Sequence, residues 1–229
     1  MSIRFSLTIL ALSLLFITFS HDWAKAQLDE RAVKSANILY QELNAPPSQK
    51  IPQTLIDDAK CIIVIPSLVK AGLVVTVESG KGLVICRSRE TGKWGAPAFY
   101  NATGGSLGLS AGGGSFNVIA LVMDEKGVGG LVSESVTFGE AQAAAVAGQT
   151  GATTGSHTKG ISFITYTESK DGLFAGADLG GLTLNFNSKG NTRSYGKALS
   201  AYETLFEEKT IPDSIKVFRE AVLKFAPRR

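Results

Sequence analysis

Histidine is almost missing from this chain: His21 and His157 are the only two in 229 residues. Cysteine is equally scarce, with Cys61 and Cys86 alone. Zinc sites draw three or four ligands from closely spaced Cys and His residues. Two lone cysteines and one histidine downstream of them offer no such spacing. No cysteine follows the N-terminal apolar run, so a lipoprotein acceptor is missing as well. That run, residues 5–19, has 15 residues, short of the ~20 that a helix needs to cross a bilayer. Charge of one sign is not in great excess either. A formal net charge of +3 argues against a nucleic-acid binder, which would carry a strongly basic balance.

What is present begins with an export pattern. Arg4, the apolar run and Ala24-Lys25-Ala26 have the order of a secretory signal with an A-x-A cleavage site. The expectation is a signal peptide over residues 1–26 and a single domain over 27–229, exported to a periplasm or the medium. The alternative is an uncleaved membrane anchor. Intact-mass analysis of protein recovered from the envelope or medium is expected to show a chain starting at Gln27, and a mass that retains residues 1–26 contradicts it. Cys61 and Cys86 can form a disulfide in such an oxidising compartment. Two buried free thiols on neighbouring strands are the other reading.

Leu28, Ala32, Ala36, Leu39 and Leu43 recur at helical spacing up to Pro46-Pro47. "IPQTLIDDA" reads as a short second helix with Pro52 at its start. Three Val/Ile-rich runs follow, "CIIVIPS", "GLVVTVES" and "GLVICRS", with "ESGKG" read as a hairpin between the last two. "SFNVIALVMD" reads as a central strand covered on both faces. "SKDG" reads as another hairpin turn, and the change of apolar phase at Gly180-Gly181 as a β-bulge. Nineteen of the 25 glycines lie between Gly104 and Gly190, which favours a tightly curved sheet. Two helices close the chain, one around Leu199 to Phe206 and one after Pro212-Asp213. Strands and helices do not alternate. The fold class expected is α+β: a glycine-rich, mostly antiparallel curved β-sheet or barrel flanked by N-terminal and C-terminal helices.

One motif suggests chemistry. "GGSLG", residues 104–108, spells the G-x-S-x-G of a nucleophile elbow, and Ser106, Asp124 and His157 occur in hydrolase order. The elbow requires a helix directly after its serine, and "LGLSAGGGSFNVIALVM" reads as a glycine turn followed by a strand. No catalytic residue is therefore assigned. The glycine runs match neither a P-loop nor a dinucleotide fingerprint, so no cofactor is expected, and Asp178 reads as a solvent-facing strand residue.

Two surfaces remain. Residues 50–93 carry seven Lys/Arg against four Asp/Glu. Within and beside that segment Arg87, Arg89, Lys93 and Trp94 stand close to Phe99 and Tyr100. A tryptophan beside cations suits a membrane interface, and a buried tryptophan ringed by charged turn residues is the alternative. The first helix carries Asp29, Glu30 and Glu42 against Arg31 and Lys34, a poor balance for anionic lipid, and reads as core packing.

"IPQTLIDDAKCIIVIPSLVKAG", "GKGLVICR", "GKWGAPAFYNATGGSLGLSAGG", "DGLFAGADLGG" and "SYG", in that order, resemble the SYLF-domain family of lipid-binding and actin-regulator domains. The resemblance spans nearly all of residues 27–229 and implies a domain without enzymatic activity. Eukaryotic members bind phosphoinositides and actin filaments, and bacterial members are exported. An exported chain does not meet the actin of its own cell. The resemblance therefore implies a peripheral, not transmembrane, module that binds anionic membrane lipid. The candidate residues are Lys70, Lys81, Arg87, Arg89, Lys93 and Trp94. A structural or protein-partner module without a lipid ligand is the other function class.

Overall fold

The computed structural model describes residues 26–72, 75–107, 112–138, 143–145, 162–169, 172–175, 179 and 181–227. Helix α1 (26–44) and α2 (Gln53–Asp58) precede strands β1 (Cys61–Gly72), β2 (Val75–Cys86), β3 (Ala98–Leu107) and β4 (Gly112–Val122). Helix α3 (Glu125–Val132) separates these from β5 (Ser135–Thr137), β6 (Ala143–Ala145), β7 (Phe163–Ser169), β8 (Gly172–Ala175) and β9 (Thr183–Phe186). Helix α4 (Ser188–Tyr195), a π-type turn (Glu203–Glu207) and α5 (Asp213–Phe225) complete the order.

The strands form one sheet in the order β5-β9-β3-β2-β1-β4-β7, with β6 and β8 both pairing with β7. Every pairing is antiparallel except β6 with β7. The sheet curls: Phe138, just after β5 at one edge, stacks on Phe163 of β7 near the other, ring centroids 4.8 Å apart. The expected α+β architecture with a curved antiparallel sheet and flanking helices is what the chain adopts, as a half-barrel.

Alternation along the strands splits the core in two. Ile62, Val64, Leu83, Ile85, Ile119 and Leu121 point outward and are covered by α1, α2 and α5. Ile63, Ile65, Val84, Ala120 and Val122 point inward and meet Val128 and Leu131 of α3 and Leu205 of the π-type turn. Helix α1 supplies its stripe of Leu28, Ala32, Ala36 and Leu39, all at most 4% exposed. β4 lies between β1 and β7, and its apolar run Val118 to Val122 is buried on both faces.

Two expectations need correction. "ESGKG" is not a hairpin, because β2 runs unbroken from Val75 to Cys86. Its glycines answer a bulge in β1. The β1 register to β2 shifts by one residue between Val64 and Val69, and to β4 between Ile65 and Leu68. Pro66-Ser67 sits at that bulge. Ser67 has φ 53° and its amide donates to Asn117 Oδ1 at 3.1 Å. Proline lacks the amide that a central ladder needs, so a bulge is where it can stand. The extra residue presses on β2, and a Cβ at Gly82 would lie 2.4 Å from the Val64 carbonyl oxygen. The phase change read as a β-bulge at Gly180-Gly181 is one: the Gly181 amide donates to the Phe138 carbonyl at 2.9 Å and the Phe138 amide to the Leu182 carbonyl at 2.8 Å, so two residues oppose one. The Leu182 amide donates to Leu179 O at 2.9 Å, Gly181 has φ 84°, and both leucines enter the inner core. Helices α3 and α4 were not expected at all. By contrast, β7 and β8 do form the hairpin read at "SKDG", with Ser169 opposite Gly172.

Candidate functional site

The inward turn of Leu28, Ala32 and Leu39 fixes the orientation of α1. It sets Gln27, Glu30, Arg31 and Lys34 along the flank that faces the β1 bulge. Between that flank and Pro66, Ser67, Ser79 and Lys81 lies an open groove of about 390 Å³. Three cations and one carboxylate line it. Glu30 and Lys34 pair at 2.7 Å one helical turn apart, both well exposed, and the Lys34 hydrogen bond holds the Glu30 carboxyl below its usual range. Arg31 is set deeper. Its guanidinium carbon lies 5.6 Å from the centroid of the Phe99 ring. Burial lowers its pKa from the ordinary arginine value, yet a guanidinium stays charged at any physiological pH. Its buried Nη1 makes no hydrogen bond. Lys81 stands exposed on the opposite wall.

This arrangement can hold an anion. Its lining residues include no histidine. Among the described residues no group of His, Cys, Asp or Glu could hold a metal, and no helix is long and apolar enough to cross a membrane.

The six residues singled out in the sequence do not come together. Only Lys81 lies in the groove. Lys70 points to the inner face and pairs at 2.8 Å with Glu78, a carboxylate only 2% exposed. Arg87 lies over the Trp94 ring, 4.4 Å from its centroid. Arg89 pairs with Glu125, and Lys93 is an exposed turn residue. Trp94 is 3% exposed and its indole N–H donates to the Ala226 carbonyl at 2.8 Å. It ties the C-terminal helix to the sheet and has no face to offer a bilayer. Phe99 and Tyr100 are buried too. The physical reason is strand geometry. Alternate residues face opposite ways, and the six positions from Lys81 to Arg87 span roughly 20 Å.

Arg31 and Lys34 were missed because the charges of α1 were summed over the whole helix. Glu42 belongs to a different face: it is 6% exposed and accepts a hydrogen bond from the Ile51 amide at 2.5 Å. Counted by face, the groove flank is basic.

Cys61 and Cys86 face each other in the β1–β2 register, with sulfurs 2.04 Å apart. Ser106 lies within β3 opposite Thr76, and β4, not a helix, follows. Asp124 is spent on structure. It caps α3 by accepting from the Gly127 amide at 2.8 Å and also accepts from Ser162 Oγ at 3.0 Å. His157 and Asp178 lie outside the described residues. At the disulfide end of the sheet a second cleft of about 290 Å³ has Val128, Val132, Tyr202 and Phe206 on its walls with Arg89 at its rim.

Residues 103–225 match the family described as Ysc84, Las17-binding protein actin regulator. SH3 domain-containing YSC84-like protein 1 of Bos taurus is 28% identical over 210 residues, covering 89% of this chain and 61% of its own. The Homo sapiens protein of that name is 28% identical over 211 residues, covering 89% and 60%. The Xenopus laevis one is 30% identical over 185 residues, covering 80% and 55%. The chain thus spans about 60% of the length of these curated relatives.

Proposed function

The chain belongs to the Ysc84 family, and from that premise and the geometry of the groove we propose that it is a non-enzymatic, peripheral module that binds anionic membrane lipid. The observation that carries the reading is Arg31. Burial disfavours its guanidinium charge, and an anionic headgroup entering the groove that Arg31 lines offsets that cost. Lys34 and Lys81 add long-range attraction, each contributing about 1 kcal/mol near an anionic surface. A total of this size gives reversible association. Under the export expected from residues 1–26, the lipid surface is one that faces the envelope or the medium.

Lys81→Glu tests the groove. Replacing one positive charge by a negative one removes about 2 kcal/mol, or roughly thirtyfold in affinity for anionic vesicles. The unfolding midpoint should not move, because Lys81 is exposed. Unchanged affinity in Lys81→Glu places lipid recognition elsewhere.

A second reading is a protein-partner module. The cleft beside Tyr202, which is 52% exposed, favours it, as does the family's description as an actin regulator. Co-sedimentation with actin filaments measures it directly.

A further inference from the structure

The described residues leave five large apolar side chains exposed, and two of them, Val69 at 48% and Val77 at 60%, stand on neighbouring strands at one end of the sheet. Both belong to the outer face. β2 presents Val77, Ser79 and Lys81 on that face in succession, and Ser79 and Lys81 line the basic groove. Val69 pairs directly with Ser79, and Val77 with Ala71. Beyond the groove, α1 no longer covers the sheet. The row through Val77 continues to Gly105 of β3 and, through Ala71, to Gly113 of β4. The row through Val69 continues to Ser115 and Thr103. Neither row holds a charged residue. Val77 has Gly105 on one side and Ala71 on the other, and Val69 has Ser79 and Ser115, so only small side chains stand beside the two valines.

An uncharged strip carrying two exposed valines that opens onto Arg31, Lys34 and Lys81 has the order of groups found in a bilayer interface, with acyl chains on one side and phosphate on the other. The geometry points to this outer sheet end as the surface that enters the acyl–headgroup boundary of an anionic membrane while the cations of the groove hold headgroups. The inference rests on the lipid reading above and adds the seating surface and the orientation. The curled sheet stands end-on, with its glycine-rich end down and its disulfide end away from the lipid. The partner fitted is a lipid surface, because the strip is continuous with a basic groove. A second copy of this chain would set one set of groove cations close to another.

The test uses residues 27–229, which retain Trp94 as their one tryptophan. Vesicles are phosphatidylcholine with phosphatidylserine, the acyl chains brominated near the headgroup. In the parent protein Trp94 is buried, so binding leaves its emission unchanged. In Val77→Trp the introduced indole is expected to lose emission on binding. Val69→Asp with Val77→Asp is expected to weaken binding by roughly tenfold or more, with the unfolding midpoint unchanged because both sites are exposed. If the parent binds, the introduced indole is not quenched and the double variant binds as tightly, the seating surface is overturned and the headgroup reading stands. If the parent does not bind anionic vesicles, both fall. A change in the emission of Val77→Trp with protein concentration, in the absence of vesicles, assigns the face to a second copy and overturns the inference.

Discussion

Gly82→Val is expected to cost the fold about 3 kcal/mol or more, the upper part of the range for overpacked interiors. Even the first added carbon would lie 2.4 Å from the Val64 carbonyl oxygen and 2.9 Å from Ile65 Cγ1. The first of these contacts is backbone, so no rotamer change relieves it. β1 would have to move, and β1 is hydrogen-bonded to β2 on one side and β4 on the other. Gly114→Ala is the control, since a Cβ there meets nothing within 4 Å. Its cost should be near zero or slightly favourable, because alanine suits a strand better than glycine. Chemical denaturation of both variants measures the difference. A Gly82→Val protein as stable as the parent would contradict the account of the β1 bulge.

Reduction of the Cys61–Cys86 pair is expected to be the second large loss. Closing a loop across a sequence separation of 25 removes about 3.5 kcal/mol of unfolded-chain entropy. Both cysteines are fully buried between the first two strands, so the native protein should resist reduction until it opens. Peptide mapping without reductant is expected to recover the two cysteines in one cross-linked species. The Cys61→Ser, Cys86→Ser double variant should show a lower denaturation midpoint than the parent. Two thiols that alkylate in freshly isolated native protein would contradict the bridge.

The parts of the fold readable from sequence were those whose signal is local. Helices α1, α2 and α5 carry apolar stripes with prolines at their ends, and β4 carries an apolar run on both parities. Ser106 could be dismissed because three glycines and a strand-like run follow it. The misread parts depend on neighbours distant in sequence. Gly80 and Gly82 look like a turn because glycine usually marks one, and only the bulge of β1 explains them in mid-strand. Helix α3 hides behind Gly127, Gly129 and Gly130, although Asp124 is an ordinary N-cap. Helix α4 is held by Asn191, whose side chain accepts from the Phe99 amide and donates to the Phe99 carbonyl, each at 2.9 Å. No periodicity announces such a clamp.

The candidate site shows the same limit. An excess of cations in residues 50–93 pointed to Lys81, but charge counts along a strand cannot tell its two faces apart. Lys70 and Lys81 lie on opposite sides of the sheet. Arg31 and Lys34 came into view only once the buried stripe of α1 had fixed which flank faces β2. Trp94 has the neighbours of an interfacial residue in sequence, and in space it is a core residue stacked under Arg87.

The measurement that bears most directly on the central claim is co-sedimentation of residues 27–229 with two kinds of vesicle, phosphatidylcholine alone and phosphatidylcholine with phosphatidylserine. It is made at low salt and at ~1 M, where the screening length falls to about 3 Å. Lipid recognition through Arg31, Lys34 and Lys81 predicts sedimentation with the anionic vesicles at low salt, release at high salt, and little association with phosphatidylcholine alone. Protein that stays in solution with anionic vesicles at low salt would contradict it.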